Sequence, residues 1–308
     1  MSGGVAPSLV LDDVSRWYGN VVAVNGISLS VGSGITGLLG PNGAGKSTIL
    51  HMLSGFLEPS AGTVTVLGEP VWRNPALYRR LGLVPEREAV YGSLTGREFV
   101  RLNARLQGLE DPDGAARRAI GLVDLGEASE RACGGYSKGM KQRIKVAAAL
   151  VHDPEVLLLD EPFNGADPRQ RLQMMDLFRR LAAEGRTLIF SSHILEEVER
   201  LAERVVVIVA GRLAASGDFR EIRRLMTDRP HTFRLRTSDD RSLASALVAH
   251  ASVLGVDLAD GRLTVRTSQL AAFALAVPEI ARTHGITLRE LRPTDESLED
   301  VFAYLVAR

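Results

Sequence analysis

Lysine is nearly missing from this chain. Only Lys46, Lys138, Lys141 and Lys145 stand against a large excess of arginine, and all four fall in two short stretches. An ammonium is a compact point charge and a guanidinium a planar fork, so the two are not interchangeable. Stretches that keep lysine in an arginine-rich chain are candidates for needing the ammonium itself. Cysteine is scarcer still: the single Cys133 excludes an internal disulfide framework and suits a reducing compartment. A formal net charge of zero leaves no electrostatic footprint for nucleic acid and no polybasic membrane tail. No apolar run approaches the length that spans a bilayer; "VVVIVA" (205–210) is strand-sized. The opening "MSGGVAPS" lacks the charged and apolar regions of a secretory leader, so a cytoplasmic protein is expected.

What is present is an ordinary globular composition, 45% apolar and 24% charged over 308 residues, enough for one large domain and a small one. Residues 9–39 read as short strands with Gly-rich turns, and "GTVTVLG" and "LGLVPE" as two more. "EVLLLDEP" and "TLIFSSH" are continuous apolar runs, the signature of parallel strands covered on both faces. They alternate with helical stretches, which argues for an α/β sheet. Residues 89–152 look helical with breaks, and "RVVVIVAGRLAASG" reads as a hairpin. Beyond about residue 225 the pattern becomes β-α-β-β-α-β, the ferredoxin-like order, followed by a helix over "DESLEDVFAYLVAR" with Asp295 as its cap.

The stretch "GPNGAGKST" (Gly40 to Thr48) matches G-x-x-x-x-G-K-[ST] between a strand and a helix. Glycines there let backbone N–H groups of Asn42, Gly43, Ala44, Gly45 and Thr48 turn toward phosphate oxygens, and the helix N-terminus adds partial positive charge. Lys46 is placed to reach the β- and γ-phosphates and Ser47 to ligate Mg²⁺. The strand "EVLLLDEP" ends in two carboxylates. Asp160 can hold the metal through water, and Glu161 can orient or deprotonate an attacking water.

With these motifs the sequence resembles the ATP-binding-cassette (ABC) transporter ATPases over about residues 8–220. "YSKGM" (Tyr136 to Met140) stands where the family has LSGGQ; "FNGADP" is similar to its D-loop, "SSHILEE" to its switch-histidine segment, "RWYGNVVAV" to its aromatic loop, and "LVPEREAVYGSLTGRE" to its Q-loop region. Three positions depart from the pattern: Lys138 replaces a glycine, Met140 a glutamine and Glu86 a glutamine.

The resemblance implies a P-loop NTPase cassette over 8–225 with an antiparallel β subdomain and a helical subdomain at about 87–152, and an α+β, ferredoxin-like accessory domain over 226–308. It implies ATP and Mg²⁺ as ligands, with Glu161 and His193 catalytic, Tyr18 stacking on adenine, and Asp167 in the D-loop. Metal ligands would be Ser47, Asp160 and Glu86. Ser137 and Gly139 would meet the γ-phosphate of a second cassette facing head to tail, so two sites need two chains: a homodimer or a pairing with a sister ATPase. The implied partner is an integral membrane permease and the implied location the cytoplasmic face of the membrane, with no nucleic acid. An alternative within the resemblance is a soluble ABC ATPase remodelling a ribosome or nucleic-acid complex. Such proteins commonly fuse two cassettes or carry long coiled coils, and neither is present.

Overall fold

The computed structural model describes residues 7–87, 89–218, 231–259 and 262–293. The chain divides into two compact units, Met1–Asp218 and Phe219–Arg308.

The first unit carries two sheets. One is antiparallel, in the order β2-β1-β4-β5, from β1 (Leu9–Tyr18), β2 (Val21–Val31), β4 (Ala61–Val66) and β5 (Glu69–Pro70). The other runs β10-β9-β3-β8-β7-β6, from β3 (Gly34–Leu39), β6 (Leu81–Val84), β7 (Val156–Asp160), β8 (Thr187–Ser192), β9 (Arg204–Val209) and β10 (Arg212–Gly217). Its pairings are parallel except for the terminal β9–β10 hairpin. Every residue of β3, β7 and β8 is buried, which is what their unbroken apolar runs require. The parallel strands end together at Leu39, Asp160 and Ser192, so the loops after β3, β7 and β8 share one edge of the sheet. That edge is where α/β proteins bind ligands.

The aromatic segment is the tip of a hairpin. Tyr18 ends β1 and Val21 begins β2, joined by a two-residue turn at Gly19 and Asn20. Gly19 takes φ +57, which an L side chain resists, and bulges along β1 let the strand run past "LVLDDV" to Tyr18.

Helices α1 (Lys46–Leu53) and α2 (Pro75–Tyr78) precede a helical stretch of α3 (Gly96–Leu106), α4 (Pro112–Leu122) and α5 (Lys138–Leu150). Local chemistry sets their starts. Thr95 and Glu98 form a reciprocal capping box on α3, and Asp111 caps α4 with Pro112 behind it. Helices α6 (Pro168–Ala183) and α7 (Leu195–Leu201) return the chain between β7, β8 and β9.

The second unit folds as β11 (His231–Thr237), α8 (Asp240–Val248), β12 (Val253–Ala259), β13 (Arg262–Thr267), α9 (Leu270–Thr283) and β14 (Leu288–Pro293). Its antiparallel sheet has the order β12-β13-β11-β14, the ferredoxin-like arrangement. Phe233, Leu235, Leu263 and Val265 of the sheet pack on Leu243, Leu247, Phe273 and Val277 of the helices. Phe273 is fully buried, with its ring centroid 5.0 Å from that of Phe233. Phe273→Ala is expected to cost this unit about 3–5 kcal/mol, read as faster amide exchange in β11 and β13 of the full chain. The helix expected over "DESLEDVFAYLVAR" lies outside the described residues.

Candidate nucleotide site

The loop after β3 is shaped by glycines that nothing else could replace. A Cβ on Gly40 would lie 2.4 Å from the Ile208 carbonyl, and one on Gly45 2.5 Å from that of Ala23. Gly45 also takes φ +104 and serves as N-cap of α1 without any side-chain cap. The first amides of a helix have no intrahelical acceptor, so this uncapped end offers donors to an anion. Asn42 and Gly43 are exposed at the loop tip, Ala44 is buried beneath it, and Ser47 and Thr48 are half-buried in the first turn of α1.

Lys46 is buried. Its Nζ donates to the carbonyls of Gly40 (2.8 Å) and Pro41 (3.3 Å) and stands 4.0 Å from Glu161 Oε1. Burial lowers its pKa, while the charges of Glu161, Asp160 and Glu86 act to raise it. The ammonium is thus held in place by two carbonyls and offsets part of the negative charge of three carboxylates beside the loop.

Asp160 and Glu161 follow at the end of β7, both buried. Ser191 of the neighbouring β8 serves both: its Oγ donates to Asp160 Oδ1 (2.5 Å) and accepts from the Glu161 amide (2.9 Å). Glu161 takes φ +47, a conformation that a non-glycine residue holds only where its surroundings enforce it. Ser191 on the amide and Gln142 Nε2 of α5 on the carbonyl (3.4 Å) supply that enforcement. The turn aims the Glu161 carboxylate at His193, whose Nδ1 lies 3.0 Å from both carboxylate oxygens. Lys46, Glu161 and His193 therefore form one cluster, from three loops that the parallel sheet aligns.

The remaining expected residues sit at three other places. Glu86, just past β6, is exposed, and its charge reaches Lys46. Its backbone is held by the buried Lys145, whose Nζ donates to the carbonyls of Pro85 (2.7 Å), Glu86 (3.3 Å) and Arg87 (3.2 Å). Two of the four lysines thus gather backbone carbonyls around a compact ammonium, a task poorly suited to a planar fork. Tyr18 is half exposed at its hairpin tip, with the Arg16 guanidinium 4.9 Å from its ring centroid.

Ser137 caps α5, its Oγ accepting from the Met140 amide at 3.2 Å. Gly139 abuts the D-loop: a Cβ there would lie 2.1 Å from Gln170 Oε1 and 3.3 Å from the Gly165 carbonyl. Asp167 caps α6 by accepting from the Gln170 amide (2.8 Å). Gly139 thus packs the start of α5 against the segment of Asp167, while Ser137 and Asp167 each cap their own helix; the three form a second group on the same chain.

Among the described residues no three His, Cys, Asp or Glu side chains gather as a metal cage. A serine hydroxyl and one or two carboxylates beside a phosphate cradle suit Mg²⁺, which keeps several waters and takes substrate oxygens as ligands. The roles of Ser191 and Gln142 were not expected from the sequence, and Lys145 was marked there only as one of the four lysines. Each acts on a residue 19 or more positions away.

The chain is similar to known proteins. Residues 24–164 match the ABC transporter family. The chain is 37% identical over 297 residues to the daunorubicin/doxorubicin resistance ATP-binding protein DrrA of Streptomyces peucetius, covering 94% of this chain and 89% of that one. It is 34% identical to the bacitracin transport ATP-binding protein BcrA of Enterococcus faecalis, covering 96% and 95%. A solved ATP-binding subunit of an ABC transporter superposes with TM-score 0.66 at 29% identity, covering 71% of this chain and 92% of that one. The dimeric ABC transporter cassette MJ0796 gives TM-score 0.64 at 22% identity, covering 68% and 98%, a likeness of fold.

Proposed function

The chain belongs to the ABC transporter ATPase family, and from that premise we propose that it is the ATP-hydrolysing subunit that powers export through a separate membrane permease. The observation that carries the chemistry is the cluster of Lys46, Glu161 and His193, with the Glu161 carboxylate 4.0 Å from the ammonium and 3.0 Å from the imidazole. The loop Gly40 to Thr48 would hold the phosphates by backbone amides, and Lys46 would neutralise the β/γ oxygens. Glu161 would take the proton of the attacking water as its oxygen bonds to the γ-phosphorus and the bond to ADP breaks. His193 would donate to the γ-phosphate. Ser47 and Asp160, with Glu86 beside them, would hold Mg²⁺, which supplies further charge neutralisation when bound.

The second group would serve a facing copy as a half-site. Ser137 and the amides near Gly139 open a helix, an anion-binding end that needs no acid beside it. One chain carries one cradle and one such end, so a head-to-tail pair completes two sites. A second copy is the simplest partner, and a sister ATPase meets the same need. Tyr18 would stack on the adenine.

No helix among the described residues is long and apolar enough to cross a membrane. The permease would be met at a groove between the β6 edge and α3. This cavity, of about 400 Å³, is lined by Phe56, Tyr78, Tyr91, Phe99, Leu102 and Leu106. Phe56 and Leu106 are each 78% exposed, and an apolar cluster of this kind marks a contact surface. An amphipathic helix on the cytoplasmic side of the permease would fit it, placing the chain peripherally at that membrane face. Lys145 and Pro85, one of its three carbonyl partners, border the same groove, so docking would bear on the segment that carries Glu86. The relatives' names (daunorubicin/doxorubicin resistance, bacitracin transport, Nod factor export) support outward transport and differ in cargo. The cargo would accordingly be set by the permease.

A tagged pull-down from detergent-solubilised host membranes, followed by mass spectrometry, tests this reading. The wild-type chain is expected to retain a multi-spanning protein in stoichiometric amount. Leu106→Glu is expected to lose it while keeping ATP turnover in the isolated chain. Recovery only with ribosomal or DNA-associated proteins would contradict the transporter reading and leave the ATP chemistry standing.

A further inference from the structure

Glu197 of α7 is a carboxylate 4% exposed, in a chain where most carboxylates face water. Burying it costs free energy unless its oxygens are well used, and burial raises its pKa against the opposing effects of Ser192 and Arg171. Its partners are specific. Oε2 accepts from Ser192 Oγ at 2.6 Å, and Oε1 stands 3.4 Å from Arg171 Nε. Ser192 Oγ in turn accepts from the Ile194 amide at 3.0 Å. Ser192 and Ile194 are the two residues that flank His193.

A hydroxyl has one hydrogen and two lone pairs. While Glu197 takes the hydrogen, a lone pair of Ser192 is left to accept the Ile194 N–H, and the backbone closes into a fixed turn around His193. Without that acceptor the hydrogen can swing to the Ile194 carbonyl, 3.3 Å away. Arg171 lies in the first turn of α6, its amide donating to the Asp167 carbonyl at 2.9 Å. The buried carboxylate thus joins the turn that carries His193 to the helix that opens at Asp167.

We propose that Glu197 is a positioning residue for ATP hydrolysis: through Ser192 it fixes the turn that holds His193 against Glu161, and through Arg171 it ties that turn to the loop preceding α6. This rests on the ATPase reading above. It assigns a task to a residue outside the cluster of Lys46, Glu161 and His193.

The test is steady-state ATPase kinetics on the full chain, with ATP affinity measured separately by equilibrium binding. Glu197→Ala and Ser192→Ala are each expected to lower kcat about tenfold with KM and ATP affinity held within about twofold. The two together are expected to be no worse than either alone, as for residues in one network. Glu197→Gln keeps an acceptor oxygen and Ser192→Thr keeps the hydroxyl, so each is expected to restore kcat to within about threefold of wild type. In a His193→Ala background, single-turnover cleavage is expected to show no further loss from Glu197→Ala. Wild-type kcat in Glu197→Ala, a full further loss in the His193→Ala background, or failure of Glu197→Gln to rescue would each overturn the proposal. Absence of turnover in the wild-type chain would instead remove the ATPase reading on which it rests.

Discussion

Glu161→Gln is expected to lower kcat for ATP hydrolysis by about 10²–10⁴-fold, the usual cost of losing a general base, while ATP still binds. The amide has the carboxylate's shape, so the φ +47 turn and its bonds to Ser191 and Gln142 persist, both being made by the backbone of residue 161. The phosphate cradle is untouched, since Lys46 is held chiefly by the Gly40 and Pro41 carbonyls. What is lost is a proton acceptor poised between an ammonium and an imidazole. Equilibrium binding of a fluorescent nucleotide alongside phosphate-release kinetics separates the two effects. Wild-type turnover in this variant would remove Glu161 from the catalytic role.

Lys46→Ala is expected to act on the other quantity. A hydrogen bond to a charged group contributes about 1.5–3 kcal/mol, so ATP affinity should fall roughly ten- to a hundredfold. The variant also strips the carbonyls of Gly40 and Pro41 of their donor and leaves the Glu161, Asp160 and Glu86 charges unopposed beside the site. Both changes make the loop less receptive to an anion. Lys46→Arg should fail to rescue, because a fork cannot occupy the small space between two carbonyls that a point charge fills. Unchanged affinity in Lys46→Ala, measured by the same titration, would contradict the cradle assignment.

These expectations differ in how far the sequence alone supported them. The cradle was legible because its geometry is local: each glycine answers a contact or a dihedral within one loop, and the loop's strand and helix flank it. Asp160 and Glu161 were legible as a pair ending an apolar strand. The φ of Glu161 was not, because it is imposed by Ser191 and Gln142 from other elements. The same holds for Glu197: in "SSHILEE" nothing separates it from Glu196, and only folding buries one and exposes the other. Lysine scarcity was a usable signal at Lys46 and Lys145, both of which collect backbone carbonyls. The strand ends around Tyr18 were less legible, because a bulged strand does not alternate cleanly. The proposed docking groove was legible only in part: Tyr91, Phe99, Leu102 and Leu106 lie in the helical stretch after Glu86, where the sequence suggested a docking surface, whereas Phe56 and Tyr78 come from separate segments.

The head-to-tail pairing of two cradles with two Ser137 helix ends is the central claim, and sedimentation of the Glu161→Gln chain tests it most directly. With ATP and Mg²⁺ the chain is expected to sediment as a dimer, and without nucleotide, or with Ser137→Asp added, as a monomer. A Glu161→Gln chain that binds ATP fully yet stays monomeric would contradict a site shared between two copies.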